Sequence, residues 1–132
     1  MTNRDGPQQP RELSAADKSH LGAALREQRQ FRVEQLAELA EEERRGGTPS
    51  SSLEVTAALK RAAAHALTEI EAALTRLRDG SYGKCGSCAQ HISPDRLEVL
   101  PAAALCMACQ RRADYSSPSE PILAGGSARR TE

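Results

Sequence analysis

Residues 81–110 read SYGKCGSCAQHISPDRLEVLPAAALCMACQ. The four cysteines of the chain all fall inside this stretch, at Cys85, Cys88, Cys106 and Cys109, as C-x2-C-x17-C-x2-C. Two residues between paired cysteines let a tight knuckle aim both sulfurs at one point, and a tetrahedral zinc ion wants four such donors at about 2.3 Å. Gly86 and Ser87 suit a sharp turn in the first knuckle. Cys106-Met107-Ala108-Cys109 lacks glycine and suits the first turn of a helix, expected over Cys106–Ala113, whose amides would favour thiolate charge. The spacing predicts one structural Zn2+ held by Cys85, Cys88, Cys106 and Cys109. Four sulfurs close the coordination sphere and leave no open position for a catalytic water, so the ion serves folding. Lys84, Arg111 and Arg112 lie beside the ligands in sequence and are candidates to offset the net −2 charge of such a cluster. His91 could replace a cysteine, but four cysteines suffice. Met107 reads as a packing residue, and His20 and His65 as solvated or seam-edge residues.

Upstream of this block the sequence is helical. The chain holds 22 alanines, two tyrosines, one phenylalanine and no tryptophan, so a thick core is excluded and a thin helical architecture is implied. Ser14-Ala15-Ala16-Asp17 resembles a capping box and starts a helix over about Ala15–Arg45. Its apolar face is sparse: Leu21, Leu25, Leu36, Leu39 and Ala40, with Gln28 and Arg32 where the seam should continue. Gly46-Gly47-Thr48-Pro49 breaks the helix. Ser51-Ser52-Leu53-Glu54 restarts it with a second capping box. Leu59, Ala63, Ala66, Ile70, Ala73 and Leu77 then repeat at coiled-coil spacing up to about Arg78, with Leu67 and Leu74 flanking. Asp79-Gly80 stops it.

The predicted fold is mainly α. A disordered arm (1–13) precedes an antiparallel helical hairpin, or coiled coil (14–79). A small four-cysteine zinc finger with a short C-terminal helix (80–115) and a disordered tail (116–132) follow.

Charge and hydropathy narrow the function. The chain is neutral, with 18 basic and 18 acidic residues, and no region is strongly basic. That argues against non-specific nucleic-acid binding. No apolar run approaches the ~20 residues that span a bilayer, and Met1–Pro10 has no signal-peptide core, so a cytoplasmic protein without a membrane partner is expected. In a reducing compartment paired cysteines favour metal over disulfides. No nucleophile–base pair or phosphate-cradling loop is visible, so an enzyme is not expected.

Gly80-Ser81-Tyr82-Gly83-Lys84-Cys85, with Cys88, Ile92, Arg96-Leu97, Pro101 and Cys106-Met107-Ala108-Cys109-Gln110, resembles the DksA/TraR zinc-finger family over roughly residues 78–112. Tyr82 and Ile92 can pack over the metal loops, Leu97 can turn inward with Arg96 at the surface, and Pro101 can rigidify the approach to the second knuckle. The resemblance implies a coiled coil followed by a zinc finger. It also implies a transcription regulator that binds bacterial RNA polymerase through the secondary channel rather than binding DNA, with ppGpp as a possible ligand. The family's acidic tip motif is missing: Gly46–Ser52 contains no acid, and Glu41, Glu42, Glu43 and Glu54 are the acids near the tip. Ala89 stands where glycine is common. Two other readings stay open. The x17 spacer also suits a sequence-specific DNA-binding finger, and the thiolates could form a redox switch that releases zinc on oxidation. Oligomeric state is not encoded in any motif.

Overall fold

The computed structural model describes residues 10–46 and 50–116, with the side chains of 50–52 left aside. The expected tail beyond Ser116 and the expected arm up to residue 9 fall outside the described residues, as do Gly47-Thr48-Pro49 and the expected capping box at Ser51; the end of the expected arm is described and is ordered, with Leu13 buried in the core. Four helices follow in order: α1 (Ala15–Arg45), α2 (Ser50–Asp79), α3 (Pro94–Val99) and α4 (Met107–Ser116). No strand forms among the described residues; the one isolated bridge joins Lys84 to His91.

The start of α1 is fixed by its cap. Ser14 Oγ accepts from the Asp17 N–H and Asp17 Oδ2 accepts from the Ser14 N–H, each at 3.0 Å, so two otherwise unpaired donors are satisfied reciprocally. Gly46, with φ 67°, ends it. α2 ends at Gly80, where the N–H groups of Gly80 and Ser81 both reach the Arg76 carbonyl, at 2.9 and 3.0 Å.

The helices run antiparallel, and two ion pairs across the seam mark their register: Arg29 to Glu71 at 3.1 Å and Lys60 to Glu43 at 2.8 Å. Both pairs are exposed enough to be worth little in stability. Gly22 lets the helices approach near the base, since a Cβ there would sit 3.3 Å from Leu77 Cδ1.

The seam differs from the expected stripe at one end. Ala63, Ile70 and Ala73 are buried, but Leu59 is 47 % exposed and Thr56 is buried instead. Thr56 lies seven residues before Ala63, so the heptad continues there with a polar residue in the seam, and Leu59 lies at its edge beside the Lys60–Glu43 pair. Along α1, Arg32 donates to Gln35 Oε1 at 2.8 Å in the polar stretch between Leu25 and Leu36. The outer hairpin is therefore a thin, wet rod.

The core sits at its base. Leu13, Leu21 and Leu25 from the N-terminal side, Ile70 and Ala73 from α2, and Tyr82, Cys85, Ile92, Leu97 and Cys109 from the finger form one buried cluster. Leu25, Ile92 and Leu97 are completely enclosed within it. Gly83 has φ 92°, and a Cβ there would meet Leu13 Cδ1 at 2.9 Å, so only glycine lets this loop close over Leu13. Hairpin and finger share a single hydrophobic cluster.

Candidate metal centre

The first knuckle is a backbone turn. The Ala89 N–H donates to the Cys85 carbonyl at 2.9 Å, and the Cys85 N–H donates to the Gln90 carbonyl at 2.8 Å. The left-handed position falls on Ala89, at φ 65°, and not on Gly86 or Ser87. The second knuckle opens α4, and the Gln110 N–H returns to the Cys106 carbonyl at 2.8 Å. One bond ties the knuckles together: the Gly86 N–H donates to the Ala104 carbonyl at 2.8 Å.

These turns gather the four sulfurs within 4.8 Å of one another, and Cys88 Sγ and Cys106 Sγ lie 3.9 Å apart. A tetrahedron with bonds of 2.3 Å has edges of about 3.8 Å, so the cluster fits a zinc-sized ion with small inward shifts. All four cysteines are free. Cys85 and Cys109 are buried, Cys106 is partly so, and Cys88 is exposed. No histidine joins the group: among the described residues the metal-capable cluster is these four cysteines.

The thiols are tuned unequally. Burial raises the Cys85 thiol, but the N–H groups of Cys88, Cys106 and Ser87 offset this and bring it down to about 6. At Cys88 the Gln90 N–H lowers the thiol, while burial and the three neighbouring sulfurs push it up to about 11. Cys109 is lowered, first by Ser87 and then by the Arg112 guanidinium. The backbone N–H donors favour the charged form of Cys85, and crowding by the other three sulfurs disfavours it at Cys88. A divalent cation would remove that crowding.

The surrounding residues are placed as follows. Tyr82 and Ile92 are buried over the metal loops and Leu97 points inward, as expected. Tyr82 Oη donates to the Pro101 carbonyl at 2.7 Å, so the buried Pro101 is an anchoring acceptor. Arg96 does more than lie at the surface: its Nε donates to the Leu105 carbonyl at 3.0 Å, and it neighbours Met107 Sδ. Arg76 reaches from α2 to the Ala103 carbonyl at 3.4 Å. These two arginines brace the loop that delivers Cys106; Arg96 belongs to the matching stretch, whereas Arg76 carries no local motif. Met107 is 49 % exposed, a correction to its reading as a packing residue: α4 starts there and turns it outward. α4 runs to Ser116, three residues beyond Ala113. His20 pairs with Glu98 at 2.9 Å and His65 with Glu69 at 3.2 Å, both solvated.

Residues 80–115 match the family model of the prokaryotic dksA/traR C4-type zinc finger. The finger is of the dksA/traR type. The described fold is similar to the structure of transcription factor DksA2 from Pseudomonas aeruginosa, with a TM-score of 0.70 and 24 % identity over 77 % of this chain and 86 % of that one. It is also matched to the structure of the RNA polymerase binding protein and transcriptional regulator Dks from Chlamydia trachomatis, with a TM-score of 0.46 and 19 % identity over 80 % of this chain and 95 % of that one. No curated protein matches the chain.

A groove of about 950 Å³ lies between the hairpin and the dksA/traR-type finger, lined among others by Phe31, Arg32, Arg76, Val99 and Gln110. Its lining contains no cysteine or histidine. Among the described residues, no helix is long and apolar enough to cross a membrane.

Proposed function

We propose that the chain is a non-enzymatic transcription regulator that binds bacterial RNA polymerase. In this reading Cys85, Cys88, Cys106 and Cys109 hold one structural zinc ion, and the hairpin is the probe that enters the secondary channel. The observation that carries it is a two-helix rod rooted in the same hydrophobic cluster as a finger of the dksA/traR type. The rod has the reach for such a role, since the 31 residues of α1 extend over about 46 Å. The overall likeness to a protein described as a transcription factor supports the same class.

When bound, zinc supplies four metal–sulfur bonds that cross-link the two knuckles. The chain's own residues do the rest: Ser87 and Arg112 donate to sulfurs, while Arg76 and Arg96 hold the intervening loop. The tip acids divide into two pairs. Glu43 is tied to Lys60 and Glu41 to Arg44. Glu42 and Glu54 have no ion pair among the described residues, so they are the acids available for a role at the channel. Direct DNA reading has less support, because the basic pair after the last cysteine is small and Arg112 faces Cys109. With a polymerase partner, the protein works in the cytoplasm.

The test is a pull-down of core RNA polymerase with the tagged full chain at moderate salt, alongside metal analysis. Polymerase subunits should be retained with one zinc per chain. A triple substitution in the loop, Thr48→Lys, Ser50→Lys and Ser51→Lys, should weaken the interaction. Transcription assays with and without ppGpp would report any ligand response. No polymerase retained, or sequence-specific DNA binding that survives ~200 mM salt, would overturn the reading.

A further inference from the structure

Three cations flank the cysteines in sequence, and the structure separates them. Arg112 Nη2 lies 3.3 Å from Cys109 Sγ. Arg111 and Lys84, exposed like Arg112, have no hydrogen bond to a sulfur among the described residues. We propose that Arg112 is the cation that neutralises and positions the Cys109 thiolate of the metal cluster, with Arg111 and Lys84 as bystanders.

Helix geometry accounts for the selection. Cys109 and Arg112 are three apart on α4 and share a face, whereas Arg111 is turned about 100° away. Long side chains on a helix sweep back towards its N-terminus, which carries a guanidinium at 112 onto the sulfur of the preceding turn. Lys84 precedes Cys85 in the extended segment that bridges to His91, so its side chain leaves from the opposite face.

Arg112 is also committed to this contact. Among the described residues no carboxylate pairs with it, and the acid on the same helix, Asp114, accepts from Gln110 at 2.9 Å. The Arg112 backbone carbonyl accepts from Ser116 Oγ at 2.8 Å, so the three residues beyond Ala113 complete the turn that carries Arg112.

Four thiolates on a divalent ion carry a net −2, and a permanent cation at contact distance offsets part of it. The offset falls on one sulfur only. Cys109 is buried and receives the guanidinium, and Cys85 is buried and receives the Ser87 N–H at 3.4 Å. Cys88 and Cys106 form the accessible edge. Arg112 therefore holds the closed side of the cluster. This inference is independent of the polymerase reading and fails or stands separately from it.

The experiment uses the zinc-loaded full chain and three variants: Arg112→Gln, Arg112→Lys and Arg111→Gln. Zinc affinity is measured by competition with a chromophoric chelator, and the thiolate environment by the charge-transfer band of the cobalt(II)-substituted protein. Arg112→Gln should weaken zinc binding about 10-fold, the lower end of the range for residues that support metal ligands, because the site is partly open to water. It should also shift the cobalt band. Arg112→Lys should recover part of both effects, and Arg111→Gln should match the parent. Affinities of Arg112→Gln and Arg111→Gln within twofold of each other, with coincident cobalt spectra, would overturn the proposal. So would an Arg112→Lys variant as impaired as Arg112→Gln, since the effect would then belong to packing of the arginine and not to its charge.

Discussion

Replacing Tyr82 with phenylalanine removes one oxygen from the place where hairpin and finger meet. The ring is 4 % exposed and its hydroxyl donates to the Pro101 carbonyl at 2.7 Å. Phenylalanine keeps the packing and leaves that carbonyl without its donor, so the expected cost is about 1–3 kcal/mol. The assay is urea unfolding at neutral pH and fixed free zinc, since bound metal adds its own stabilisation. With a slope of roughly 1–3 kcal/mol per molar urea, the midpoint should fall by about 0.5–2 M.

A second signature lies at alkaline pH. Burial pushes the Tyr82 phenol up to about 12, with Arg76 lowering and Glu98 raising it. Below pH 10 both folded and unfolded chains hold this proton. Between about 10 and 12 only the folded chain does, so stability is present below the ordinary phenol value and is lost as pH rises through that window. The loss is on the order of 2 kcal/mol, and the phenylalanine variant lacks it. The gap between parent and variant should therefore shrink as pH climbs from 10 to 12. An unchanged neutral midpoint, or a Tyr82 phenol that ionises near 10 by ultraviolet absorbance, would refute the reasoning.

Chelating the metal should lower hydrogen-exchange protection in the base of the hairpin, around Leu21–Leu25 and Ile70–Ala73, as well as in the finger; an unaffected base would show that the shared core does not couple them. Leu25→Ala should cost about 2–5 kcal/mol in thermal or urea unfolding, because Leu25 is wholly enclosed. Leu59→Ala should stay within about 0.5 kcal/mol of the parent, and a large loss there would return Leu59 to the seam. Ser14→Ala should cost about 1 kcal/mol by removing the cap of α1. Asp17 in the same cap is held below the ordinary carboxylate value, first by the Ser14 N–H, so its contribution is complete above about pH 3.8 and lost as pH falls through the lower folded value. A thermal-melt series from pH 6 to 2, in which Asp17→Asn loses less stability than the parent, checks the sign. Ala89→Gly should raise stability by roughly 0.5–1 kcal/mol, since the left-handed conformation strains alanine; a lower melting temperature would count against it.

Sequence alone locates the four-cysteine cluster because its information is local. Each cysteine pair encodes its own knuckle, and Ser14 with Asp17 encodes its own cap. Expectations weaken wherever geometry depends on residues far apart. Leu59 has the right spacing for the seam, yet it is 47 % exposed while Thr56, one heptad before Ala63, is buried, because burial there depends on what α1 places opposite. α3 spans six residues, too short to leave a periodic signal. Arg76 looks like an ordinary surface cation in the sequence, and Arg96, though part of the matching stretch, reads as a surface residue beside Leu97. Their carbonyl partners, Ala103 and Leu105, lie 27 and 9 residues away, in a loop whose path only the folded chain defines.

Those long-range bonds bear on how the protein can work. The outer rod has few buried residues, so little in it resists bending. The base is different: α1, α2 and both knuckles contribute to one cluster, with Cys85 and Cys109 as members of that core. A metal held by Cys85 and Cys109 would act directly on the core from which the helices emerge. On the proposed reading the finger would serve the hairpin as a rigid mount, with a bound ion contributing through mechanics. This accounts for a closed, four-sulfur cluster with two of its cysteines buried against the rod.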